Sequence, residues 1–471
     1  MIKMRVLLIF PPGESFVRYP PLGLCYIASI LERENHDVKI IDASLEHKNV
    51  EDILKEVNKF NPEVVGLNTL TNFYHSCKEI SLNVKKNFPD LTVIAGGPHV
   101  SVLPQQTLKD MGVDYIVVGE GELTILELLK TIEKGSDLSK VNGIGYIEND
   151  KIIMTSQREF LQNLDEIPFP ARHLLKIKKY NRATIVRQKP YTTILSSRGC
   201  PFDCSFCCNA VLWGRKYRLR SPKNVVEEME EVHSKFNIKE IYFPDDLFTG
   251  NRKWVTEVCN EIMKTKIDFT WRCLCRVDTV NEKLLQLMNK SGCHTLEFGV
   301  ESGDEQIIKN INKKIKINQV INAFSMAKKI GFDTRAFFMI GNIGETEKSI
   351  NRTMSLAKRL NPDYLSYSIA TPLPGTKFFK EAREKKLIVN DDWENYDYTK
   401  EAVSKTEALS SEDIKYWQNT ATMNFFARRE YLSENILRRS LSVPLHNRYV
   451  LLNLLNKFRL YTTYRIQKII K

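Results

Sequence analysis

Cys200, Cys204 and Cys207 fall within one short stretch, spaced C-x3-C-x2-C, with Phe206 directly before the last thiol. Three thiolates on a tight loop can hold three corners of a [4Fe–4S] cluster and leave the fourth iron open to a substrate or cofactor. A fully ligated electron-transfer cluster needs a fourth cysteine at a suitable distance, and a structural zinc site more often shows paired C-x2-C knuckles. Cys208 follows at once, but a register through Cys204 and Cys208 supplies only two spaced ligands, so it reads as a bystander. The plainer alternative is a zinc site or a group of buried apolar thiols.

Such a loop has to be presented by a rigid element. From Thr192 onward, strand-like runs at 192–196, 240–243, 269–275, 295–299, 334–340 and 364–369 alternate with helical patterns. That alternation fits a partial (β/α)6 barrel with its chemistry at the carboxyl-end mouth, and the cysteine loop follows the first run. Candidate ligand groups recur at later strand ends: Asp245 and Asp246 after the second, Glu301 and Ser302 after the fourth, and Met339-Ile340-Gly341-Asn342-Ile343-Gly344-Glu345-Thr346 at the fifth. Arg272 and Arg276 on the third run have even spacing, which suits one face of a strand.

The first 155 residues alternate in the same way, with apolar runs at 6–10, 38–42, 64–67, 92–95 and 115–118. They predict a doubly wound parallel sheet, in which ligands sit beyond the carboxyl ends of the strands. Asn68-Thr69, Gly96-Gly97-Pro98-His99 and Gly119-Glu120-Gly121-Glu122 occupy those ends. Glycines there allow the backbone to approach a large planar or phosphate-bearing ligand, although each taken singly reads equally well as a turn. Residues 156–190 contain Pro168 and Pro170, which forbid a regular helix, and read as a linker. The organisation expected is therefore α/β: 1–155 a doubly wound domain, 156–190 a linker, 191–390 a partial barrel, and 391–471 mainly helical.

The run Ser197-Arg198-Gly199-Cys200-Pro201-Phe202-Asp203-Cys204-Ser205-Phe206-Cys207 resembles the cluster motif of the radical S-adenosylmethionine enzymes. In that family the open iron chelates the amino and carboxylate groups of S-adenosylmethionine, and one electron cleaves the sulfonium to a 5′-deoxyadenosyl radical. The resemblance implies that Asp245 and Asp246 lie where the family holds the methionyl ammonium, and that Arg276 lies near the cofactor carboxylate. It also places Glu301 and Ser302 in the ribose-binding element and the run 339–346 in the adenine element, with Ile343 where proline is usual. Pro20-Pro21-Leu22-Gly23-Leu24 and the two glycine loops are similar to the cobalamin-binding domain of one branch of these enzymes, implying cobalamin contacts at Asn68, Thr69, Gly96, Gly97, Gly119 and Glu120. Domains that ligate cobalt from below carry D-x-H-x-x-G; here Ser44 stands at the histidine position after Asp42, and His47 reads as an ordinary loop residue.

Composition bounds the partners. Ten cysteines without a secretory signal suit a reducing, cytoplasmic interior, and no apolar segment approaches the length of a bilayer span. The net charge of +12 is concentrated at the end: between 425 and 471 ten cationic side chains face two acidic ones, interleaved with Leu451, Leu454, Phe458 and Ile469. That pattern suits an amphipathic helix peripheral to an anionic membrane, and suits as well a helix packed on the protein's own barrel. No RNA-binding module is recognisable, so a nucleic-acid partner is not expected.

The resemblance implies a [4Fe–4S] cluster, S-adenosylmethionine and cobalamin, an electron donor such as flavodoxin or ferredoxin, and methylation of an unactivated carbon of a hydrophobic, lipid-like small molecule. Three other classes stay open: oxidative cyclisation or ring rearrangement as in the anaerobic magnesium-protoporphyrin monomethyl ester cyclase, RNA modification, and a non-catalytic iron–sulfur scaffold. Trp393, Tyr396, Tyr398 and Trp417 could cap the barrel mouth or merely cover apolar surface.

Overall fold

The computed structural model describes residues 3–13, 19–181, 183, 185–428 and 431. The basic tail from 432 onward, with Arg429 and Glu430, lies outside the described residues. The described residues form two compact units: one within 3–201, 208–246 and 264–269, the other within 202–207, 247–263 and 270–431.

In the first unit the apolar runs become β1 (Arg5–Phe10), β2 (Asp37–Asp42), β3 (Val64–Asn68), β4 (Thr92–Gly96) and β5 (Tyr115–Val117), followed by β6 (Ile144–Glu148) and β7 (Lys151–Met154). The sheet order is β2-β1-β3-β4-β5-β6-β7. β1 to β5 are parallel, so both faces must be covered, and near-continuous aliphatic strands result. Helices Leu22–Arg33 and Gly121–Lys134 bury Cys25, Ile30, Leu128 and Leu129 in one core with Leu8 and Ile40. The order reverses direction between β1 and β3, which puts a ligand crevice beyond their carboxyl ends. β6 and β7 depart from the parallel expectation: they form an antiparallel hairpin on the sheet edge. Asn149 and Asp150, both at positive φ (48° and 60°), close it with a two-residue turn whose twist suits a hairpin.

Six parallel strands make the second sheet, the partial (β/α)6 barrel expected from the sequence. The first unit holds β8 (Tyr191–Thr193), which pairs with β11 (Glu240–Phe243), and between them a small antiparallel ribbon of β9 (Ser197–Arg198) and β10 (Arg218–Leu219). The second unit holds β12 (Thr270–Cys275), β13 (Cys293–Glu301), β14 (Asp333–Ile340) and β15 (Tyr364–Ile369), paired in that order. Helix Pro222–Phe236, between β10 and β11, shows how local chemistry sets these boundaries. The Ser221 hydroxyl accepts from Asn224 N, proline fills the first helical position, and Asn237 in the left-handed region ends it. Helix Ser411–Phe426 closes the described chain. Among the described residues no helix is long and apolar enough to cross a membrane.

Candidate functional site

The cysteine loop leaves β9 through Gly199 at φ +86°, where a Cβ would stand 2.3 Å from the Lys216 carbonyl, so only glycine permits this exit. In the second unit, residues 202–207 are pinned from two sides. Ser205 N donates to Ile311 O at 2.9 Å, Asn312 Nδ2 to Asp203 O at 2.7 Å, and Phe378 N to Ser205 O at 2.9 Å. Cys200, Cys204, Cys207 and Cys208 are partly exposed, whereas Cys25, Cys77, Cys259, Cys273, Cys275 and Cys293 are buried. Burial pushes the Cys77 thiol up to about 12 and raises Cys208 as well, which disfavours the thiolate a metal needs. Among the described residues no three His, Cys, Asp or Glu side chains converge on one metal ion. Three thiolates carried on one short loop fit the three ligated irons of a [4Fe–4S] cluster.

Two cations flank Cys204. Arg276 lies over the Phe202 ring with 3.5 Å to the centroid, points Nη1 at Cys204 Sγ (4.0 Å), and is fixed by Asp278 in a bidentate pair at 3.0 Å and by the Lys313 carbonyl at 2.9 Å. The guanidinium is thus committed to the cluster loop. Lys313, buried, pairs with Glu301 at 2.8 Å, and the carboxylate raises its pKa against the opposing effect of burial. Glu301 itself holds a left-handed backbone (φ +67°). Ser302 is fully buried and turned to Thr353 Oγ1 (3.1 Å) and the Asp304 amide (3.1 Å), so its hydroxyl serves the packing of helix Glu347–Leu360.

Asp245 and Asp246 sit side by side at the end of β11. Asp245 Oδ1 accepts from Ser196 N (2.9 Å), both Ser196 and Ser197 hydroxyls (3.0 and 2.6 Å) and Ser197 N, tying β11 to the start of β9. Asp246 Oδ1 accepts from Asn209 Nδ2 at 2.6 Å. The second carboxylate oxygen of each is buried without a hydrogen-bond partner. Burial pushes Asp245 up to about 6; burial, and then the Asp245 charge, push Asp246 up to about 7. Two orphaned acceptors of this kind fit a ligand that brings N–H donors or a positive charge.

At the end of β14, Glu345 folds back to accept from Gly341 N (2.6 Å) and Asn342 N (3.2 Å), and burial pushes it up to about 7. This carboxyl closes the loop in which Ile343 replaces proline. Beside it lies a cavity of about 300 Å³ lined by Ser205, Phe206, Asn342, Ile343, Phe378 and Glu407. Phe206, Ile343 and Phe378 give it an apolar wall on which a flat ring could lie, and Asn310, Asn342, Glu381, Lys385 and Glu407 supply polar groups around it.

In the first unit, Asn68 ends β3 paired with Gly96, Thr69 N donates to Gly96 O at 2.8 Å, and His99 N donates to Thr69 O at 3.1 Å. Gly97 (φ +107°) has no room for a Cβ, which would meet Asn68 Oδ1 at 2.6 Å, whereas Gly119 (φ +79°) has no atom within 4 Å of that position. The Gly119 backbone opens on free space, a cradle a side chain would fill, and its amide is held by Ser101 Oγ at 3.0 Å. Glu120 does not share this space: its carboxylate accepts from Arg198, Arg218 and Leu161 N. Asp42 uses Oδ1 to cap Leu45 N (2.8 Å) and Oδ2 to accept the Tyr180 phenol (2.7 Å), while Ser44 Oγ donates to Gly13 O at 2.7 Å. His47 ends a short helix in the left-handed region.

Arg272 is brought together with neither Arg276 nor Cys204. It pairs with Glu297, which also accepts from Arg335, and Arg335 reaches Ser366, forming a polar row across four strands on the face opposite Trp271 and its partner Phe248. Trp393 packs on Tyr396 (4.8 Å between centroids) and Trp417 on Tyr416, while Tyr398 is exposed. Lys313, Asp278, Asn209, Glu122 and Arg198 were not singled out as site residues from sequence. Arg198 lies on β9 and Glu122 in the first turn of helix Gly121–Lys134, yet the two meet from distant parts of the chain, which leaves no periodic or spacing signal.

Residues 13–129 match the B12 binding domain family and residues 194–357 the radical SAM superfamily. An uncharacterized methyltransferase of Pyrococcus horikoshii is 37% identical over 443 residues, covering 93% of this chain and 95% of that protein. The anaerobic magnesium-protoporphyrin IX monomethyl ester cyclase of Rubrivivax gelatinosus is 29% identical, over 91% of this chain and 78% of that one. The solved structure of the cobalamin-dependent S-adenosylmethionine radical enzyme OxsB shares the fold, with TM-score 0.76 and 18% identity over 95% of this chain and 70% of that one. Two matched domains in this order, and full-length similarity to a methyltransferase, show that the chain belongs to the radical S-adenosylmethionine methyltransferases that use a [4Fe–4S] cluster and cobalamin.

Proposed function

We propose that this enzyme methylates an unactivated carbon of a hydrophobic, lipid-like small molecule, with a flavodoxin- or ferredoxin-type donor reducing its cluster. When bound, the cluster with S-adenosylmethionine supplies hydrogen-atom abstraction, and cobalamin supplies the methyl group. The chain's own work is to hold and orient. Cys200, Cys204 and Cys207 ligate the cluster; Arg276 and Lys313 set the charge beside Cys204. Asp246, with Asp245 fixing the strand end, accepts from the methionyl amino group through its orphaned oxygen. Glu301 faces the ribose, with Ser302 shaping the turn from behind, and the cavity walled by Phe206 and Ile343 takes the adenine. Asn68, Thr69, Gly96, Gly97 and Gly119 line the corrin, with Glu120 steadying the loop. The matched segments support the division into 1–155, 156–190, 191–390 and 391–471.

The full-length likeness to a methyltransferase carries the methylation reading, and the open backbone at Gly119 leaves room for cobalamin in either reading. Anaerobic incubation of reduced holoenzyme with a lipid extract tests it: substrate-dependent 5′-deoxyadenosine and S-adenosylhomocysteine should form together. The likeness to a cyclase supports a second reading, oxidative cyclisation, in which 5′-deoxyadenosine forms without S-adenosylhomocysteine. The cationic tail favours an amphiphilic substrate presented at an anionic surface, where each cation contributes on the order of 1 kcal/mol before salt screening. Salt-sensitive co-sedimentation with anionic but not neutral vesicles, lost on deletion from Leu451, is expected; equal recovery in the supernatant with both vesicle types would sink the membrane contact.

A further inference from the structure

Glu120 is the hub of a buried four-charge network within the first unit. Its Oε1 accepts from Arg198 Nη1 at 3.0 Å and from Arg218 Nη1 at 2.8 Å, its Oε2 accepts from Leu161 N at 2.8 Å, and Arg198 Nη2 also pairs with Glu122. The four side chains are between 2% and 9% exposed. Arg198 and Arg218 face each other in register across the β9–β10 ribbon. Arg198 is packed between the rings of Tyr26 (5.5 Å) and Trp213 (5.0 Å), and Arg218 on Phe160 (4.9 Å). One end of the network is therefore the turn after β5 that carries Gly119. Its other end is two residues from Cys200.

We infer that Glu120 and Arg198 are positioning residues that couple cobalamin binding to the order of the cysteine loop. The coupling rests on the reading of Gly119 as part of the cobalamin cradle. Two carboxylates neutralise two guanidiniums in a region closed to water, so withdrawing either acid leaves an uncompensated buried charge. The turn at 119–122 and the exit of β9 consequently hold their native positions together. A ligand that fixes Gly119 fixes Glu120, hence Arg198, hence the backbone entering Cys200. By linkage the effect is reciprocal: a filled cluster must tighten cobalamin binding by the same factor that cobalamin orders the cluster loop.

The test measures hydroxocobalamin affinity of the full chain under anaerobic conditions, cluster-reconstituted and cluster-free. The cluster-reconstituted wild type should bind about tenfold more tightly, within the usual range of such couplings. Glu120→Asp, which keeps the charge but shortens its reach, and Glu122→Gln, which withdraws one of the two acids, should bring that ratio towards one. An unchanged ratio in folded variants overturns the inference. Where a variant does not fold, the wild type decides alone: hydroxocobalamin added to cluster-free protein should slow amide exchange at 197–200, and unchanged exchange overturns the coupling. Equal binding by both wild-type forms overturns the coupling and leaves the cobalamin reading intact; no binding by either form overturns both.

Discussion

Tyr180 donates its phenol hydrogen to Asp42 Oδ2 at 2.7 Å, occupying the acceptor that a D-x-H-x-x-G histidine would need for orientation. Ser44, at the histidine position, is turned to the Gly13 carbonyl. Bound cobalamin should therefore have no protein nitrogen on cobalt. Electron paramagnetic resonance of the cob(II)alamin form should lack nitrogen superhyperfine splitting from below. Splitting that disappears in His47→Ala would refute this.

Cluster assembly should depend on three cysteines and not on the fourth. Cys200→Ala, Cys204→Ala and Cys207→Ala should each abolish the visible charge-transfer absorption of anaerobically reconstituted protein together with S-adenosylmethionine cleavage. Cys208→Ala should retain both, since Cys208 stands outside the C-x3-C-x2-C spacing and burial raises its thiol. A Cys208 variant that loses the cluster would overturn the register.

Binding of S-adenosylmethionine should carry the titration of Asp246. The carboxyl is raised from an unfolded value of about 3.9 to about 7, so the folded protein holds a proton that the unfolded chain has released. Stability of the ligand-free protein should then fall as pH rises from about 4 to about 7. A ligand that needs the ionised carboxylate gains affinity over that range, up to about tenfold per pH unit below 7, and levels off above it. Titration calorimetry should show this slope in the wild type and its loss in Asp246→Asn; a slope that survives the substitution excludes Asp246 as its source.

The strand runs were legible because parallel strands buried on both faces must be apolar throughout, and ten of the eleven expected runs coincide with observed strands to within about two residues at each end. The eleventh, at 192–196, ends early: β8 stops at Thr193, and Ser196 and Ser197 instead bond Asp245. The β6–β7 hairpin breaks the βα alternation that precedes it, and its only local signal is the short Asn149-Asp150 turn. Glycine roles were only partly legible: Gly97 and Gly119 look alike in sequence, yet one is packed against Asn68 and the other is open. Long-range charge pairing was not legible at all. Nothing near Glu120 in sequence announces Arg198 and Arg218, and Arg276 could be placed on a strand end but not on Phe202 and Asp278.

A last prediction concerns stability. Glu228, on the inward face of helix Pro222–Phe236, is fully buried between Arg172 (2.5 Å) and Arg220. Arg220 further donates to Leu195 O at 2.9 Å and Arg172 to Thr193 O at 2.7 Å, so both guanidiniums brace the strand that leads to the cysteine loop. The two cations hold the carboxyl below its ordinary value against the cost of burial. Glu228→Gln preserves shape but leaves two buried positive charges with one partner removed, which costs about 3–5 kcal/mol. Arg172→Met with Glu228→Leu removes charge from both sides and should cost less than the sum of the two single changes. Denaturant unfolding of Glu228→Gln, of the two single variants Arg172→Met and Glu228→Leu, and of their double measures this directly; a Glu228→Gln protein as stable as wild type would show that the network contributes nothing to the fold.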